Sequence, residues 1–184
     1  VPQVTPAEQA DDVAKALAKV QAMAGTWGAD PARVVLMGHS AGAHLVALVS
    51  ASPAIAQRAG ARPWLGTVVL DSAALDLLPL MYRAHARFYD RAFGSDAALW
   101  PAMSPTASLA PGGPPMLLVC STQRSDGSCD QSAAFARRAN AVGVRASVSA
   151  HDLSHGQINA NLGLSGPETE AVDGFMRSIG VAPP

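Results

Sequence analysis

Residues 38–42, GHSAG, place Ser40 between two glycines. They follow a β-branched and aliphatic run over 33–37 and precede an alanine-rich run, so a buried strand is predicted to turn into a helix at Ser40. The pattern fits G-x-S-x-G, in which the serine lies on a sharp, strained strand-to-helix turn that needs small neighbours. Ser40 is therefore the candidate nucleophile, and a plain structural turn is the alternative interpretation.

A serine hydroxyl becomes a useful nucleophile only when a base accepts its proton, and a third group must orient that base. Among the five histidines, His155 is the preferred base, because it lies in a loop just beyond the last predicted strand and directly before a glycine. His151, nearer to the end of that strand, is the main alternative. Three histidines remain. His39 is expected to shape the turn, His44 to pack on the helix after Ser40, and His85 to lie in an insertion.

The orienting acid is expected in the polar loop after the third predicted strand, which holds Asp126 and Asp130. Asp126 is preferred because it lies in mid-loop beside a glycine and is free to point at the imidazole, whereas Asp130 directly precedes a predicted helix and suits an N-cap. Asp71, at the end of the second predicted strand, is the alternative, since a carboxylate there could approach the same histidine from the neighbouring strand. The predicted catalytic set is Ser40, Asp126 and His155, with Asp71 kept open.

The elements that must position these groups alternate regularly. Consecutive apolar runs predict buried strands at residues 33–37, 67–70 and 116–120. Residues 144–150 continue the rhythm as a fourth strand. Helices are predicted after a capping box at Thr5, after Ser40 to about Ser52, over 131–141, and after a second capping-box pattern at Ser165. One stripe of the first helix is predicted to face the core: Ala10, Val13, Leu17 and Val20. This alternation predicts an α/β fold, with a mostly parallel sheet and flanking helices, in a single domain over 1–184.

Residues 76–115 break the alternation and are predicted to form a helical insertion over the carboxyl edge of the sheet. Such insertions often shape binding pockets. Large side chains of the insertion are candidates for lining a pocket, with ordinary packing as the alternative: Met81, Tyr82, Phe88, Tyr89 and Trp100. Tyr82 and Phe88, together with His39, are the preferred substrate contacts.

Composition excludes several functional classes. With 49% hydrophobic residues, 15% charged residues and a formal net charge of -1, the chain lacks a basic field for nucleic acid or anionic lipid. No apolar stretch reaches the roughly 18 to 20 residues of a membrane span, so a soluble protein is expected, with the cytoplasm or export both open. No cluster has metal-ligand spacing, so neither a metal nor an organic cofactor is expected. Cys120 and Cys129 either form a disulfide or remain buried thiols.

The sharp turn at GHSAG, the chain order Ser, Asp, His and the alternating strands and helices together resemble the α/β-hydrolase superfamily. The segments ADPARVVLMGHSAGAHL and PPMLLVCS, with AFG and SP in the insertion, are similar to its esterase and lipase branch that includes arylformamidase-like enzymes. The resemblance implies hydrolysis of a small carboxylic ester, or a related acyl or aryl amide, through an acyl-enzyme with Ser40, Asp126 and His155. It also implies that the backbone N–H of Ala41 is an oxyanion donor. In that branch the acid usually comes two residues earlier in the loop, where this sequence has Arg124.

The resemblance further implies sequence ahead of Val1. The branch carries several strands and a glycine-rich loop, which supplies the second oxyanion donor, before the region where this chain begins. No such glycine run precedes Ser40. We therefore expect the carboxyl-terminal part of a longer polypeptide, with the missing amino-terminal segment as a partner. Two other functions stay open: acyl transfer by the same residues, and a non-catalytic domain that binds a ligand or partner.

Overall fold

The computed structural model describes residues 1 and 3–181, and its centre is a parallel sheet with strand order β1-β2-β3-β4. The strands are β1 (Val35–His39), β2 (Gly66–Leu70), β3 (Met116–Ser121) and β4 (Ala146–His151). Each neighbouring pair is parallel, so the carboxyl ends of all strands meet at one edge. The predicted α/β fold with a parallel sheet is therefore confirmed.

Helices cover both faces of the sheet and the edge at which the strands end. Their bounds are α1 (Pro6–Met23), α2 (Ala41–Ala51), α3 (Pro53–Arg58), α4 (Leu77–Tyr82), α5 (Arg87–Phe93), α6 (Trp100–Met103), α7 (Ser128–Ala141), α8 (His155–Ala160) and α9 (Pro167–Ser178), with a 3-10 turn at Ala24–Trp27. The capping box at Thr5 is confirmed, because its side chain accepts from the backbone of Glu8 while the Glu8 carboxylate accepts from the Thr5 N–H. The capping box predicted at Ser165 is wrong, because Gly166 occupies the N-cap of α9 and offers no side chain.

The core lies on both faces of the two inner strands, β2 and β3, which are buried along their whole length. One face packs on α2 and α7, where Ala47 and Phe135 are fully buried. The other face packs on α8 and α9 through Ile158 and Phe175. Each large apolar side chain buried in this way contributes about 1.5–3 kcal/mol to the stability of the fold. Packing on both faces holds β2 and β3 in place, and with them the residues at their carboxyl ends.

Strand β1 differs from the prediction of a fully buried strand. It lies at the edge of the sheet, its residues are half-buried or exposed, and Met37 is 41% exposed. The same open side explains why Val20 is 41% exposed although the periodicity of α1 predicts that it faces the core, since both residues border a groove along β1. In α1, Ala10, Ala14 and Leu17 form the buried stripe, with Val13 half-buried beside them.

The insertion over 76–115 carries α4, α5 and α6 and builds a small core of its own. Met81 and Trp100 are buried in that core. In the part of the chain described, no helix is both long enough and apolar enough to cross a membrane.

Candidate active site

The turn after β1 holds Ser40 in a backbone conformation that few side-chain-bearing residues adopt, with φ 58° and ψ -117°. The N–H of Ser40 donates to the carbonyl of Leu70 at 2.9 Å, which ties the turn to the end of β2. A Cβ on Gly38 would lie 2.4 Å from the carbonyl oxygen of Gly42, so glycine is required at 38. A Cβ on Gly42 would meet nothing within 4 Å. The turn therefore has the sharp, strained geometry that the G-x-S-x-G pattern predicts, and its steric constraint falls on one glycine.

His155 is the first residue of α8 and lies across from Ser40. A capping box between Ser154 and Gln157 fixes the start of that helix. The ring Nε2–H of His39 donates to the carbonyl oxygen of His155 at 2.9 Å, and the two imidazole rings lie 4.4 Å apart. His39 therefore positions His155, and the expectation that it contacts substrate differs from the structure, in which it does not line the cavity.

A continuous line of hydrogen bonds joins Ser40, His155 and Asp71. The distance from His155 Nδ1 to Asp71 Oδ2 is 2.6 Å, and that from His155 Nε2 to Ser40 Oγ is 3.0 Å. A carboxylate can only accept, so Nδ1 carries the proton and the lone pair of Nε2 faces the hydroxyl. This is the tautomer that a base acting on Ser40 needs.

Asp71 follows β2 directly and is fully buried. Its backbone also has a positive φ, 59°, and its N–H donates to the carbonyl of Val119 in β3. The Oδ1 atom accepts from the backbone N–H of Ser121 and from the hydroxyl of Ser128. Burial alone would raise the pKa of Asp71, but hydrogen bonds from Ser128, Ser121, His155 and Arg124 outweigh it and lower that pKa below the ordinary value. Asp71 is therefore held as a carboxylate.

The preferred acid, Asp126, does not reach the imidazole. Its carboxylate accepts from Nε of Arg124 at 2.9 Å and from Nη2 of the same guanidinium. The sequence-based choice of Asp126 thus differs from the structure, which pairs His155 with the alternative, Asp71. The reason is Arg124, which lies between Asp126 and the imidazole. Asp130 lies inside the first turn of α7 rather than at its N-cap, which is Gly127.

Cys120 and Cys129 form a disulfide, with Cα atoms 5.2 Å apart. The bridge joins the end of β3 to the start of α7 and so closes the loop that carries Arg124 and Asp126. Ser121 and Ser128, the two donors to Asp71 Oδ1, stand directly inside it.

A cavity of about 790 Å³ opens above Ser40 and His155. Its walls come from α2, from the turn after β2 and from α5, and they include Leu45, Phe88, Tyr89 and Phe93. The placement of Phe88 agrees with its prediction as a pocket residue. Tyr82 does not line the cavity, because it is 74% exposed and packs edge-on against Trp100.

The other histidines lie away from the hydrogen-bonded line. His151, the alternative base, accepts or donates at Nε2 with the hydroxyl of Ser149. His85 pairs with Asp90 on the insertion. His44 borders the cavity but is buried, and burial lowers its pKa to about 4 although its Nδ1–H donates to the carbonyl of Ala74. Among residues 1 and 3–181, no group of three or more His, Cys, Asp or Glu side chains is arranged to hold a metal ion.

A family model described as alpha/beta hydrolase fold matches residues 2–158. The chain belongs to this family. Among solved structures, this α/β-hydrolase is similar to esterase 2 of Thermogutta terrifontis phosphonylated by sarin, with 22% identity, a TM-score of 0.74, and coverage of 99% of this chain and 70% of that one. The butyrate-bound form of the same esterase gives 22% identity, a TM-score of 0.73, and 99% and 69% coverage.

An acetyl ester-xyloside bifunctional hydrolase from Caldicellulosiruptor lactoaceticus is also similar, with 23% identity, a TM-score of 0.73, and coverage of 92% of this α/β-hydrolase and 65% of that chain. No curated protein matches the sequence. At these identities the likeness to solved structures establishes the fold.

On sequence grounds Asp71 is only the second choice for the acid, and Arg124 is only a departure from the pattern of the esterase and lipase branch. Each residue nevertheless has one feature in the sequence that points to its role. Asp71 stands directly after an uninterrupted apolar run, and Arg124 occupies a loop position where a carboxylate was expected.

Proposed function

We propose that this chain is a serine hydrolase that cleaves small carboxylic esters through an acyl-enzyme. The observation that carries the proposal is the line of hydrogen bonds from Ser40 through His155 to Asp71, at 3.0 Å and 2.6 Å. Membership of the α/β-hydrolase family and the strained backbone of Ser40 support it. The esterase with a similar fold is phosphonylated by sarin and binds butyrate, which is consistent with this chemistry.

In the first half of the reaction, Ser40 Oγ attacks the ester carbonyl while His155 Nε2 takes its proton. Asp71 accepts from Nδ1–H throughout and stabilises the imidazolium that forms. His155 then gives the proton to the departing alkoxide, which leaves as an alcohol. In the second half, His155 takes a proton from water, the hydroxide attacks the acyl-enzyme, and Ser40 leaves with its proton restored.

The negative charge on the carbonyl oxygen needs a donor in place before the reaction begins. Ala41 is the first residue of α2, and a helix leaves its first N–H groups without a backbone partner, so the Ala41 N–H is the donor we assign. A second backbone donor is worth roughly 100- to 1000-fold in turnover. Irreversible labelling of Ser40 accumulates with time, so it reports the nucleophile at any turnover rate.

The cavity sets the class of substrate. Its volume of about 790 Å³ falls within the range of pockets that enclose a small organic molecule. Leu45, Phe88 and Phe93 supply apolar and aromatic walls, which suit an uncharged acyl or aryl group better than a sugar or a peptide. We therefore expect esters such as p-nitrophenyl butyrate to react.

Labelling by a fluorophosphonate probe tests the proposal. Parent protein is expected to form one adduct, on Ser40, and Ser40→Ala is expected to form none. Ser125→Ala is the matched control, because it removes an exposed serine from the nearby loop and is expected to label like the parent. Labelling of Ser40→Ala at the parent rate, or no adduct in the folded parent, would contradict the proposal and favour a binding domain.

Acyl transfer uses the same three side chains, so product analysis with added alcohol distinguishes it from hydrolysis. We expect free acid as the main product. A new ester as the main product at low alcohol concentration would identify a transferase.

A further inference from the structure

Arg124 makes contacts on two sides. On one side, Nη1 donates to the backbone carbonyl of Asp71 at 2.8 Å and to its Oδ2 at 3.1 Å. On the other side, Nε and Nη2 donate to the two carboxylate oxygens of Asp126. We propose that Arg124 is a positioning residue that clamps Asp71 against His155, with Asp126 as the counter-ion that holds the clamp. This inference rests on the proposed function, because it assigns how that site keeps its acid in place.

The clamp acts on the backbone of Asp71 as well as on its carboxylate. A residue with a side chain at φ 59° is held there only by its surroundings, since the conformation is unfavourable in isolation. The contact from Arg124 to the Asp71 carbonyl fixes that peptide group directly. Arg124 therefore restrains both the backbone and the Oδ2 atom that His155 contacts.

Asp126 holds the other side of the guanidinium. A two-point contact between a guanidinium and a carboxylate fixes the plane of the arginine as well as its distance. The backbone carbonyl of Asp126 also accepts from Arg83 at 2.9 Å, and the Cys120–Cys129 disulfide closes the loop. Asp126, the preferred acid on sequence grounds, thus contributes to the site by holding Arg124 in place.

Charge is the second part of the role. Arg124 Nη1 lies 3.0 Å from His155 Nδ1, and both atoms are donors in the tautomer present, so they share Asp71 Oδ2 as acceptor. A fixed cation at that distance disfavours the uptake of a further proton by the His155–Asp71 pair. Burial opposes the charge of Arg124, but its contacts with Asp126 and Asp71 outweigh this and raise the pKa of Arg124, so the cation persists.

The other charged or titratable groups that face the pair come from the neighbouring elements. His39 of β1 stacks on His155, and Tyr89 of α5 lies near Asp126 and Arg124. Burial, followed by the charge of Asp126, raises the pKa of Tyr89, so it stays neutral through the working range. Arg91 of α5 lines the same cavity from an exposed position.

An alternative role for Arg124 is to bind an anionic group of the substrate, since it lines the cavity. Its side chain is only 17% exposed, and Nε, Nη1 and Nη2 each already donate to Asp71 or Asp126. A positioning residue is expected to change kcat and the pH profile, whereas a substrate-binding residue is expected to change KM.

The test compares Arg124→Met, Arg124→Lys and a matched control, Arg137→Met, which removes the charge of an exposed arginine of α7 that takes no part in the clamp. For Arg124→Met we expect kcat for p-nitrophenyl butyrate to fall about 10- to 100-fold with KM within about threefold. The acid limb of the kcat/KM profile is expected to move up by about one pH unit, because a cation has been removed from the pair. Arg124→Lys is expected to keep the parent position of that limb with an intermediate kcat, and Arg137→Met to match the parent. A raised KM with unchanged kcat and pH profile would overturn the assignment.

A second measurement does not depend on turnover. The Nδ1 proton of His155, held between nitrogen and the Asp71 carboxylate at 2.6 Å, is expected to give a far-downfield NMR signal in the parent and in Arg137→Met. The signal is expected to weaken or shift in Arg124→Met, because Asp71 is no longer held. An unchanged signal in folded Arg124→Met would overturn the clamp even if Ser40 labels normally. Failure of Ser40 to label, with the signal lost in Arg124→Met, would instead reject the proposed hydrolase function and leave the contact established.

Discussion

Replacing Asp71 by asparagine separates the two candidate acids, and the structure sets the size of the effect. Asp71 Oδ1 accepts from the N–H of Ser121 and from the hydroxyl of Ser128, so the amide oxygen of an asparagine would take that position. The amide NH2 would then replace Oδ2, 2.6 Å from His155 Nδ1. The imidazole would have to accept at Nδ1 and carry its proton on Nε2, where it could no longer take the proton of Ser40. A wrong tautomer of this kind costs on the order of 10⁴-fold in kcat.

The assay is hydrolysis of p-nitrophenyl butyrate by parent, Asp71→Asn and Asp126→Asn, with the midpoint of urea unfolding as a check that each variant is folded. Asp126→Asn is the matched control, because it removes a carboxylate from the same region without touching the imidazole. We expect it to lose about tenfold or less, through loosening of Arg124. A loss below tenfold in folded Asp71→Asn, together with a loss above about 1000-fold in Asp126→Asn, would refute the assignment of Asp71.

Three further predictions concern stability. Gly38→Ala is expected to cost at least about 1–3 kcal/mol in urea unfolding, because its Cβ would overlap the Gly42 carbonyl, whereas Gly42→Ala should stay within about 1 kcal/mol of the parent; equal costs would contradict this reading of the elbow. Removing the disulfide by Cys120→Ala with Cys129→Ala should lower the free energy of unfolding by about 2–3 kcal/mol, the value for so short a loop, and an unchanged urea midpoint would show that the bridge does not form. The folded-state pKa of His44, about 4, lies below its unfolded value of 6.5, so the unfolded chain binds the proton more readily. As pH falls from 6.5 to 4, the free energy of unfolding of the parent should therefore fall by about 3 kcal/mol more than that of His44→Gln. Parallel pH–stability curves would argue against a buried neutral imidazole.

The elements nearest the active site were predictable because their signals are local. An apolar run that ends before Gly38 and an alanine-rich run that begins after Ser40 leave one place for the turn. The alternation of strands and helices along the chain predicts the parallel sheet. The position of His155 after the last strand follows from the same topology, since the ends of parallel strands converge. Periodicity could not show which strand lies at an edge, so the exposure of Met37 and Val20 was missed.

The choice between Asp71 and Asp126 depends on tertiary contacts that spacing does not record. Both residues follow inner strands of the sheet and both can reach the neighbourhood of His155. Asp71 is fully buried, and its carboxylate accepts from four residues, Ser121, Ser128, Arg124 and His155. The carboxylate of Asp126 instead accepts from Arg124. The contacts of Asp71 with Arg124 and His155 join residues far apart in the sequence, so they leave no periodic pattern. Arg124 is nevertheless unusual on sequence grounds, because it is a cation in the loop that is expected to carry the acid.

The position of the acid and the presence of Arg124 explain each other. A carboxylate buried as deeply as Asp71 would tend to take up a proton and cease to orient the imidazole unless donors and a cation held it ionised. Conversely, an arginine 3.0 Å from His155 Nδ1 would oppose the imidazolium that forms during catalysis if no buried carboxylate stood between them. Each residue alone would impair the site, whereas together they give a fixed anion in front of the imidazole and a fixed cation behind that anion. This coupling predicts that substitutions at 71 and 124 are strongly non-additive, because once Asp71 is lost Arg124 has no acid to position. In Asp71→Asn, a further Arg124→Met change should therefore cause no further loss of kcat, and relief of the unshielded cation should leave kcat equal or higher, against the loss of about 10- to 100-fold expected in the parent. Additive losses would show that Arg124 acts independently of Asp71.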